Sequence, residues 1–395
     1  MSTITLQHLL DACSPGGASV LTSVTPLEPA AGPHASVAPA KFVSGSKSVF
    51  AYERRFWNGE AVTAVLIDSK QSQNNRLEAA VSAAIADEDP VLTRTPRIEL
   101  RFEDGQVYSD LDLPHRAFDG QIRAGTINGE TVTSVEEYRK LRDATVNHAR
   151  PLLERSPMTL LLGGWDASRK SHQGRYRSIL VGEIIGILAD QDGGAEANQS
   201  KRGGARIDPV GMRIDLEDKE RKAITEAQKH ELSASTYKSA SGKNGKVSTL
   251  GLGGIPPSLE QLGGVTCQAI IRSHVLSFAA LRALRFDSPT PEGDVACRAL
   301  LAALALNGLA RSDAELLLRA NCDLVETGPA VVTLDKRYGQ KESFEPLSID
   351  QAQELLSAAI DHAIRTANLT WDGSILVVEG NPAILNAAAD DAQDN

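Results

Sequence analysis

Two apolar runs and the segment between them decide the predicted fold. The first run is Pro157-Met158-Thr159-Leu160-Leu161-Leu162-Gly163-Gly164-Trp165, and the second is Ser178-Ile179-Leu180-Val181-Gly182-Glu183-Ile184-Ile185-Gly186-Ile187-Leu188. Short apolar runs bounded by glycine and proline are typical of buried strands. We therefore expect two buried strands joined by a loop that begins at Asp166.

The loop between the two runs is rich in positive charge. Its cations are Arg169, Lys170, Arg175 and Arg177, with His172 among them, and Asp166 is its only acid. Cations held between two rigid strands would form a site for an anion, but the same residues also fit a solvated surface loop. The loop alone does not decide between these interpretations.

The composition is that of a globular protein. The 395 residues are 42% hydrophobic, which is enough for a large core in one elaborated domain or two. No apolar run approaches the roughly 18 residues of a membrane span, and the first residues lack the pattern of a secretion signal. The four cysteines have no metal-ligand spacing. We expect a cytoplasmic protein that uses no metal or cofactor and has no membrane partner.

Charge is distributed unevenly along the chain. The formal net charge is −10, yet residues 150–286 carry 20 Lys and Arg against 14 Asp and Glu. Because salt screens fields beyond about 10 Å, the local balance matters more than the total. The middle of the chain is therefore a candidate polyanion surface, and its acidic flanks are candidates for contacts with basic neighbours.

A second polar cluster follows a predicted strand. Residues 62–67 form the second strand of a hairpin that turns at Asn58-Gly59. The segment Gln71-Ser72-Gln73-Asn74-Asn75-Arg76 comes next, and Asn75 with Glu78 predicts the start of a helix. A loop at such a junction offers free N–H groups to phosphate, although plain helix capping explains the same residues.

Other elements are predicted from periodicity and turn residues. We expect a loop or arm over residues 14–48, a hairpin over 97–111, helices that begin at Ser134, Ser277 and Ser348, a core helix over 295–309, a turn capped by Ser312 and Glu315, and strands over 331–334 and 374–378. From Val265, alternation predicts a strand with Val265, Cys267, Ala269 and Ile271 inward and Thr266, Gln268 and Arg272 outward.

Two further segments leave alternatives open. His115-Arg116-x-x-Asp119 allows acid–base chemistry, but a His near an Asp is more often a structural pair. Residues 190–249 are polar and rich in Gly and Lys, which fits either a functional loop or a disordered insertion. The Gly-rich loop at 250–257 is not a nucleotide-binding loop, because no Gly-Lys-Ser/Thr follows.

Several of these segments, in this order, resemble a known family. They are Gln71–Glu78, Leu161–Asp166, Arg206-Ile207-Asp208-Pro209, Gly253-Gly254-Ile255-Pro256-Pro257, Gly263-Gly264-Val265-Thr266 and Leu276–Phe286. The chain is similar to the backbone subunit of type I-G (formerly I-U) CRISPR effector complexes, in the RAMP superfamily. The resemblance covers about residues 62–325.

The resemblance implies an α+β fold in which a modified ferredoxin-like (RRM-type) palm carries helical finger insertions and a flexible thumb. It divides the chain into an N-terminal arm or loop (1–48), a first palm part (49–189), a flexible finger or thumb insertion (190–249), a second palm part with helices (250–378) and an acidic tail (379–395). The implied partners are CRISPR RNA, the target DNA strand paired to it, further copies of the chain, the large subunit and a fused cap-and-processing subunit.

The residues predicted to bind RNA combine the charge pattern with the resemblance. They are Gln71, Gln73, Asn74, Arg76, Arg116, Trp165, Arg169, Lys170, Arg175, Arg177, Arg206, Lys243, Lys246, Gly253, Gly254, Arg272 and Arg282. Aromatic residues make up only 4% of the chain, so phosphate contacts and aliphatic wedges should dominate over base stacking. Trp165 is the best stacking candidate, and a core position fits it equally well.

Two other function classes compete with RNA binding. A metal-dependent RNA endonuclease would use Asp166, His172, Glu183 or Asp208, but these residues have no ligand spacing. A structural oligomer without nucleic acid is the other. We expect no catalytic activity, with Asp208 ordering its own loop.

Overall fold

The computed structural model describes residues 2–204, 214, 216–243, 245–252 and 258–384. The chain divides into two compact units, one formed by residues 1–198 and 265–381 and the other by residues 199–264 and 382–395. The segments at Arg206–Pro209 and Gly253–Pro257, predicted to contact RNA, lie outside the described residues.

The helices and strands have the following bounds. The helices are α1 Leu6–Cys13, α2 Lys70–Ala86, α3 Gly120–Arg123, α4 Glu136–Asp143, α5 Arg150–Leu153, α6 Pro157–Leu162, α7 Gly194–Ala197, α8 Asp218–Ala227, α9 Ala234–Ser241, α10 Phe278–Leu281, α11 Pro291–Ala314 and α12 Ile349–Ala367. The strands are β1 Val20–Pro29, β2 Lys41–Ser44, β3 Lys47–Phe50, β4 Tyr52–Trp57, β5 Glu60–Asp68, β6 Arg97–Arg101, β7 Val107–Ser109, β8 Thr126–Ile127, β9 Glu130–Thr131, β10 Gly164–Trp165, β11 Arg175–Tyr176, β12 Leu180–Leu188, β13 Gln199–Gly204, β14 Ser258–Val265, β15 Cys267–Ser277, β16 Leu324–Glu326, β17 Val331–Asp335, β18 Lys341–Phe344 and β19 Ile375–Glu379.

The first unit is built on an antiparallel sheet with the order β18-β17-β1-β15-β12-β5-β4. Leu276 of β15 is paired with both Leu21 of β1 and Leu180 of β12, so the three central strands share one register. Helix α2 packs on β12, and α11 packs against α1, α2 and α12. The apolar side chains between the sheet and these helices form the core. The predicted α+β class is therefore confirmed, and the ferredoxin-like connectivity remains a prediction.

A smaller sheet in the same unit has the order β7-β6-β19-β8-β9. Its middle pair, β6 and β19, is parallel, with Ile98 opposite Leu376. The predicted hairpin over residues 97–111 and the late strand near residue 374 are both part of this sheet.

Helix α11 is the core helix expected over residues 295–309. Every residue from Ala296 to Leu309 is buried. Among the described residues it is long and apolar enough to cross a membrane, but 83% of that apolar window is buried, as in the core helix of a soluble protein.

The second unit contains the two-stranded sheet β13–β14 and the helices α8 and α9. Arg221 of α8 is 2% exposed, and it donates to the backbone carbonyls of Ala240 and Gly242. These bonds hold α8 against the end of α9. Residues 190–198 of the predicted insertion belong to the first unit instead.

The first apolar run is a helix, not the predicted strand. Pro157 is at the first helical position, where its missing N–H costs no hydrogen bond. All six residues of α6 are buried, and Gly163, at φ +93°, ends the helix. A short buried helix and a buried strand both have continuous apolar sequences, so periodicity could not distinguish them.

Residues 14–48 are not only a loop or arm, because they include β1, which lies in the middle of the main sheet. Its inward positions alternate, but two of them are Ser23 and Thr25, and Pro26 and Pro29 interrupt the pattern. Hydroxyl side chains facing the core concealed the alternation of a strand.

Three predicted helix starts are displaced. The side chain of Ser69, not Asn75, caps α2, and its oxygen accepts from the Ser72 N–H. Helix α4 begins at Glu136 without a side-chain cap, so Ser134 is not its N-cap. Helix α11 continues through Ala314, which removes the turn predicted from Ser312. In each case tertiary packing sets the helix boundary and overrides the local capping signal.

The predicted strand is present as β15, and Val265 is buried and Gln268 exposed as predicted, but from Ile270 onward β15 presents the opposite face to the core. Ile270, Arg272, His274 and Leu276 are the buried residues. A shift of one residue exchanges the two faces of a strand. The apolar pattern predicted the wrong inward residues in this part of the strand because an arginine and a histidine occupy inward positions.

The turn and capping signals elsewhere are confirmed. Asn58 and Gly59 both have positive φ, as a tight hairpin turn requires. Ser277 and Ser348 cap α10 and α12 through their side chains.

Candidate nucleic-acid interface

The exposed part of the cationic loop is organised by the short hairpin β10–β11. Trp165 is paired with Arg175, and the Arg175 Cζ lies 4.7 Å from the centroid of the Trp165 ring. The indole is 52% exposed, so Trp165 is not a core residue. A guanidinium over an indole is an attractive cation–π arrangement that holds both side chains in place.

The base of this hairpin is rigid. The Ser178 hydroxyl donates to the Leu162 carbonyl at 2.7 Å, and the Ile179 N–H donates to the Leu161 carbonyl at 2.8 Å. A Cβ on Gly163 would approach the Tyr176 carbonyl to 2.9 Å, and one on Gly164 would approach the Thr159 side chain to 2.8 Å. The two glycines therefore let the hairpin lie directly against buried helix α6.

The only acid of the loop is used to anchor it. Asp166 is 1% exposed and receives two hydrogen bonds from Arg142, at 2.8 and 3.0 Å. Burial by itself would raise the pKa of Asp166, but the Arg142 hydrogen bonds and charge outweigh it and lower that pKa. Ser168 also donates to this carboxylate, which is consequently committed to structure.

One of the four loop cations is an anchor as well. The Arg169 guanidinium donates to Asp143 Oδ1 and to the Arg142 carbonyl, each at 2.7 Å. Lys170, Arg175 and Arg177 are exposed. Three of the four predicted cations are therefore available to an external anion.

An apolar groove of about 510 Å³ adjoins the hairpin. It is lined by Trp165, Tyr176, Ile179, Leu160 and Leu284, and Arg175 and Arg177 lie at its border. An exposed aromatic ring, an apolar groove and free guanidinium groups on one surface suit a chain with alternating phosphates and flat bases.

The polar cluster after β5, predicted to contact RNA, makes hydrogen bonds within the fold. Asp68 is fully buried and receives hydrogen bonds from Ser72 Oγ at 3.0 Å, Gln73 Nε2 at 2.6 Å, Arg76 Nε at 3.0 Å and Arg319 Nη2 at 2.5 Å. Burial raises the pKa of this carboxyl, but its hydrogen bonds to Arg76 and the neighbouring donors lower that pKa overall. The junction expected to hold a phosphate holds an internal carboxylate.

Three more residues predicted to contact RNA have partners within the fold. Arg116 is 8% exposed and forms an ion pair with Glu78, and it donates to the Gly163 carbonyl at 3.0 Å. Arg272 is 1% exposed and pairs with Glu326 at 2.8 Å and Asp313 at 3.3 Å. Arg282 donates to the carbonyls of Ala12 and Ala18 at 2.5 and 2.8 Å. In this fold their guanidinium groups hold elements together.

The remaining candidates are dispersed. Gln71 is exposed at the start of α2, and Asn74 is buried. Lys243 and Lys246 are exposed in the second unit. Arg206, Gly253 and Gly254 lie outside the described residues. The His115–Asp119 pair is structural, because the carboxylate of Asp119 accepts the backbone N–H groups of His115 and Gln121.

The anchoring residues were not found from the sequence. Arg142 belongs to α4, more than twenty residues before Asp166, and no local pattern links them. One signal was present: an isolated acid within a cationic loop needs a partner if it is buried. Glu183 is similarly committed, since it pairs with Arg55 at 3.0 Å. Within the described ranges no three His, Cys, Asp or Glu side chains are grouped to hold a metal ion.

Comparison with known proteins agrees with the resemblance seen in the sequence. Residues 21–191 match the family model described as CRISPR-associated protein GSU0053. This region includes β1, β5, α2, the β10–β11 hairpin and β12. No curated protein matches the chain. Over residues 21–191 the chain is therefore similar to the CRISPR-associated GSU0053 family, which agrees with the resemblance seen in its sequence motifs.

Proposed function

We propose that this chain is an RNA-binding backbone subunit of a Cascade-like CRISPR effector complex. The observation that carries the proposal is the Trp165–Arg175 pair, an exposed indole with a guanidinium over its face, on a hairpin bonded to the buried core. A stacking surface beside free cations is what sequence-independent binding of single-stranded RNA requires. In this role the chain lies along CRISPR RNA in the cytoplasm and presents the guide to target DNA.

The finer features of the complex belong to the same proposal. The type I-G subtype, the contacts with further copies of the chain, and those with the large subunit and the fused cap-and-processing subunit rest on the sequence resemblance. We also propose that the subunit is not itself an enzyme. Two of the carboxylates considered for a nuclease, Asp166 and Glu183, are each held by an arginine, which supports a structural use of both.

The test is RNA binding by a variant in which Lys170, Arg175 and Arg177 are all changed to alanine. Each phosphate contact on a single strand contributes about 0.7 to the slope of log affinity against log salt. Three lost contacts should therefore flatten the slope by up to about 2. Fluorescence anisotropy with several unrelated single-stranded RNAs, measured over a salt series, should give similar losses for all of them.

Lys140→Ala is the matched control. Lys140 is an exposed cation on α4, already paired with Glu136, and it lies outside the hairpin. Its removal should leave the salt dependence unchanged. If the triple variant keeps the wild-type slope and affinity, the hairpin is not the RNA surface.

A further inference from the structure

The turn between β17 and β18 contains a strained aromatic residue. Tyr338 has φ +62° and ψ +33°, in the left-handed region, and Gly339 follows at φ +73°. Left-handed backbone is common for Gly and Asn but unfavourable for a bulky side chain. The turn itself is closed by backbone bonds, from the Lys336 N–H to the Gln340 carbonyl at 2.9 Å and from the Gln340 N–H to the Arg337 carbonyl at 3.3 Å.

The side chain of Tyr338 does not pack against the fold. It is 100% exposed, whereas a ring that stabilised the hairpin would be partly covered by it. A strained residue that the surrounding structure does not use points to a contact outside the chain. The large aromatic ring is the feature that such a contact would recognise.

The chemistry around the ring favours a nucleic acid. Arg337 and Lys341 are exposed, and neither forms an ion pair or hydrogen bond through its side chain with any described residue. Lys336 is neutralised by Glu342 at 2.6 Å. Two free cations therefore flank the ring, one on each side in the sequence.

A cleft of about 730 Å³ lies beside the turn. Its lining includes Gly16, Gly17 and Ala18 of the α1–β1 loop together with Arg337 and Tyr338 of the turn. This volume is within the range of small-ligand clefts, about 300–1,000 Å³. The polar side chains of Asp11, Lys336 and Gln340 are also part of its lining.

We propose that Tyr338 is a stacking platform for an unpaired RNA base, with Arg337 and Lys341 contacting the adjacent phosphates. This inference rests on the proposed RNA-binding function and adds a second contact region, on the β17–β18 hairpin, to the Trp165 surface. Stacking on an aromatic ring accepts any base, so the site would fix the path of the strand without reading its sequence.

The experiment uses the full chain and single-stranded RNA labelled with 2-aminopurine at successive positions. Tyr338→Ala should weaken binding about 5- to 100-fold, as expected for the loss of one stacked base, and should abolish the quenching of one label position. Tyr338→Phe should keep both. Tyr108→Ala, at another partly exposed tyrosine on β7, is the matched control and should bind as the wild type does.

Tyr338→Gly separates function from structure, because it removes the ring and the strain together. We expect its melting temperature to rise while its RNA affinity falls. Wild-type affinity of Tyr338→Ala would overturn the inference even if the Trp165 surface binds RNA, and so would a lower melting temperature of Tyr338→Gly. Loss of contact between copies at unchanged RNA affinity would overturn it in favour of a protein partner. Absence of RNA binding by the wild-type chain would overturn the proposed function as well.

Discussion

Replacing Arg76 with alanine tests whether the polar cluster at the start of α2 binds RNA or stabilises the fold. In the structure the Arg76 guanidinium donates to Asp68 at 3.0 Å and also reaches the Leu317 carbonyl. If these contacts are its role, Arg76→Ala should destabilise the chain and leave the RNA affinity of the folded protein unchanged.

The magnitude follows from what remains around Asp68. A hydrogen bond to a charged group contributes about 1.5–3 kcal/mol, and Arg319 still neutralises the carboxylate when Arg76 is removed. We therefore expect Arg76→Ala to lower the free energy of unfolding by about 2 kcal/mol. Asp68→Ala leaves two cations without their shared partner, and because both guanidinium groups are partly exposed, we expect about 3 kcal/mol.

The assay is urea denaturation, followed by RNA anisotropy at a temperature where each variant is fully folded. Arg94→Ala is the control, because Arg94 pairs with Asp361 at an exposed position where the loss should stay below about 1 kcal/mol. A tenfold loss of RNA affinity in Arg76→Ala, with stability within 0.5 kcal/mol of the wild type as a rough limit of no effect, would refute the structural role and restore the predicted phosphate site.

Two further predictions concern residues that support the β10–β11 hairpin. Burial raises the pKa of Asp110 from 3.8 to about 7, so the folded chain keeps a proton that the unfolded chain loses. The free energy of unfolding should therefore fall as pH rises from about 4 to 7, by at most about 1.4 kcal/mol per pH unit. Asp110→Asn should remove this pH dependence in denaturation series from pH 5 to 8, and equal slopes for the variant and the wild type would contradict the prediction. Gly163→Ala should destabilise the chain by about 1–3 kcal/mol and weaken RNA binding, because Gly163 has φ +93° and an added Cβ would meet the Tyr176 carbonyl. Gly105→Ala is the control for backbone strain alone, since Gly105 has φ +90° and an added Cβ there meets no other atom. Equal shifts of the melting temperature in the two variants would exclude a steric contribution at Gly163.

Much of the fold was predictable because its signals are local. The Asn58-Gly59 turn needs two consecutive residues that accept positive φ, and the side chain of Ser277 caps the helix that follows it directly. Helix α11 is apolar over most of its surface, which is sufficient to predict burial without knowing what covers it. Each of these features depends on neighbours in the sequence.

The errors arise where distant residues decide the outcome. Arg272 was predicted to face outward from the alternation that begins at Val265, but it is buried, and Glu326 and Asp313 compensate its charge in the core. Asp68 and Arg319 are 251 residues apart, so no local reading could show that the polar cluster on α2 was already neutralised. Trp165 and Arg175 were predictable from the sequence as candidates for RNA binding. That the Trp165 ring is exposed was not predictable.

These pairings also change the interpretation of charge along the chain. Residues 150–286 have an excess of cations, and three of those in the described part of the segment, Arg155, Arg169 and Arg272, pair with acids outside it, at Glu137, Asp143 and Glu326. Part of the positive surface expected from the sequence is thus neutralised within the same chain. The same contacts neutralise some acids of the flanks, which lowers the charge available for contacts between copies. Exposed cations for which no ion pair is seen, such as Lys170, Arg177, Arg337 and Lys341, are for this reason more informative positions for testing the proposed RNA binding than the total charge of any segment.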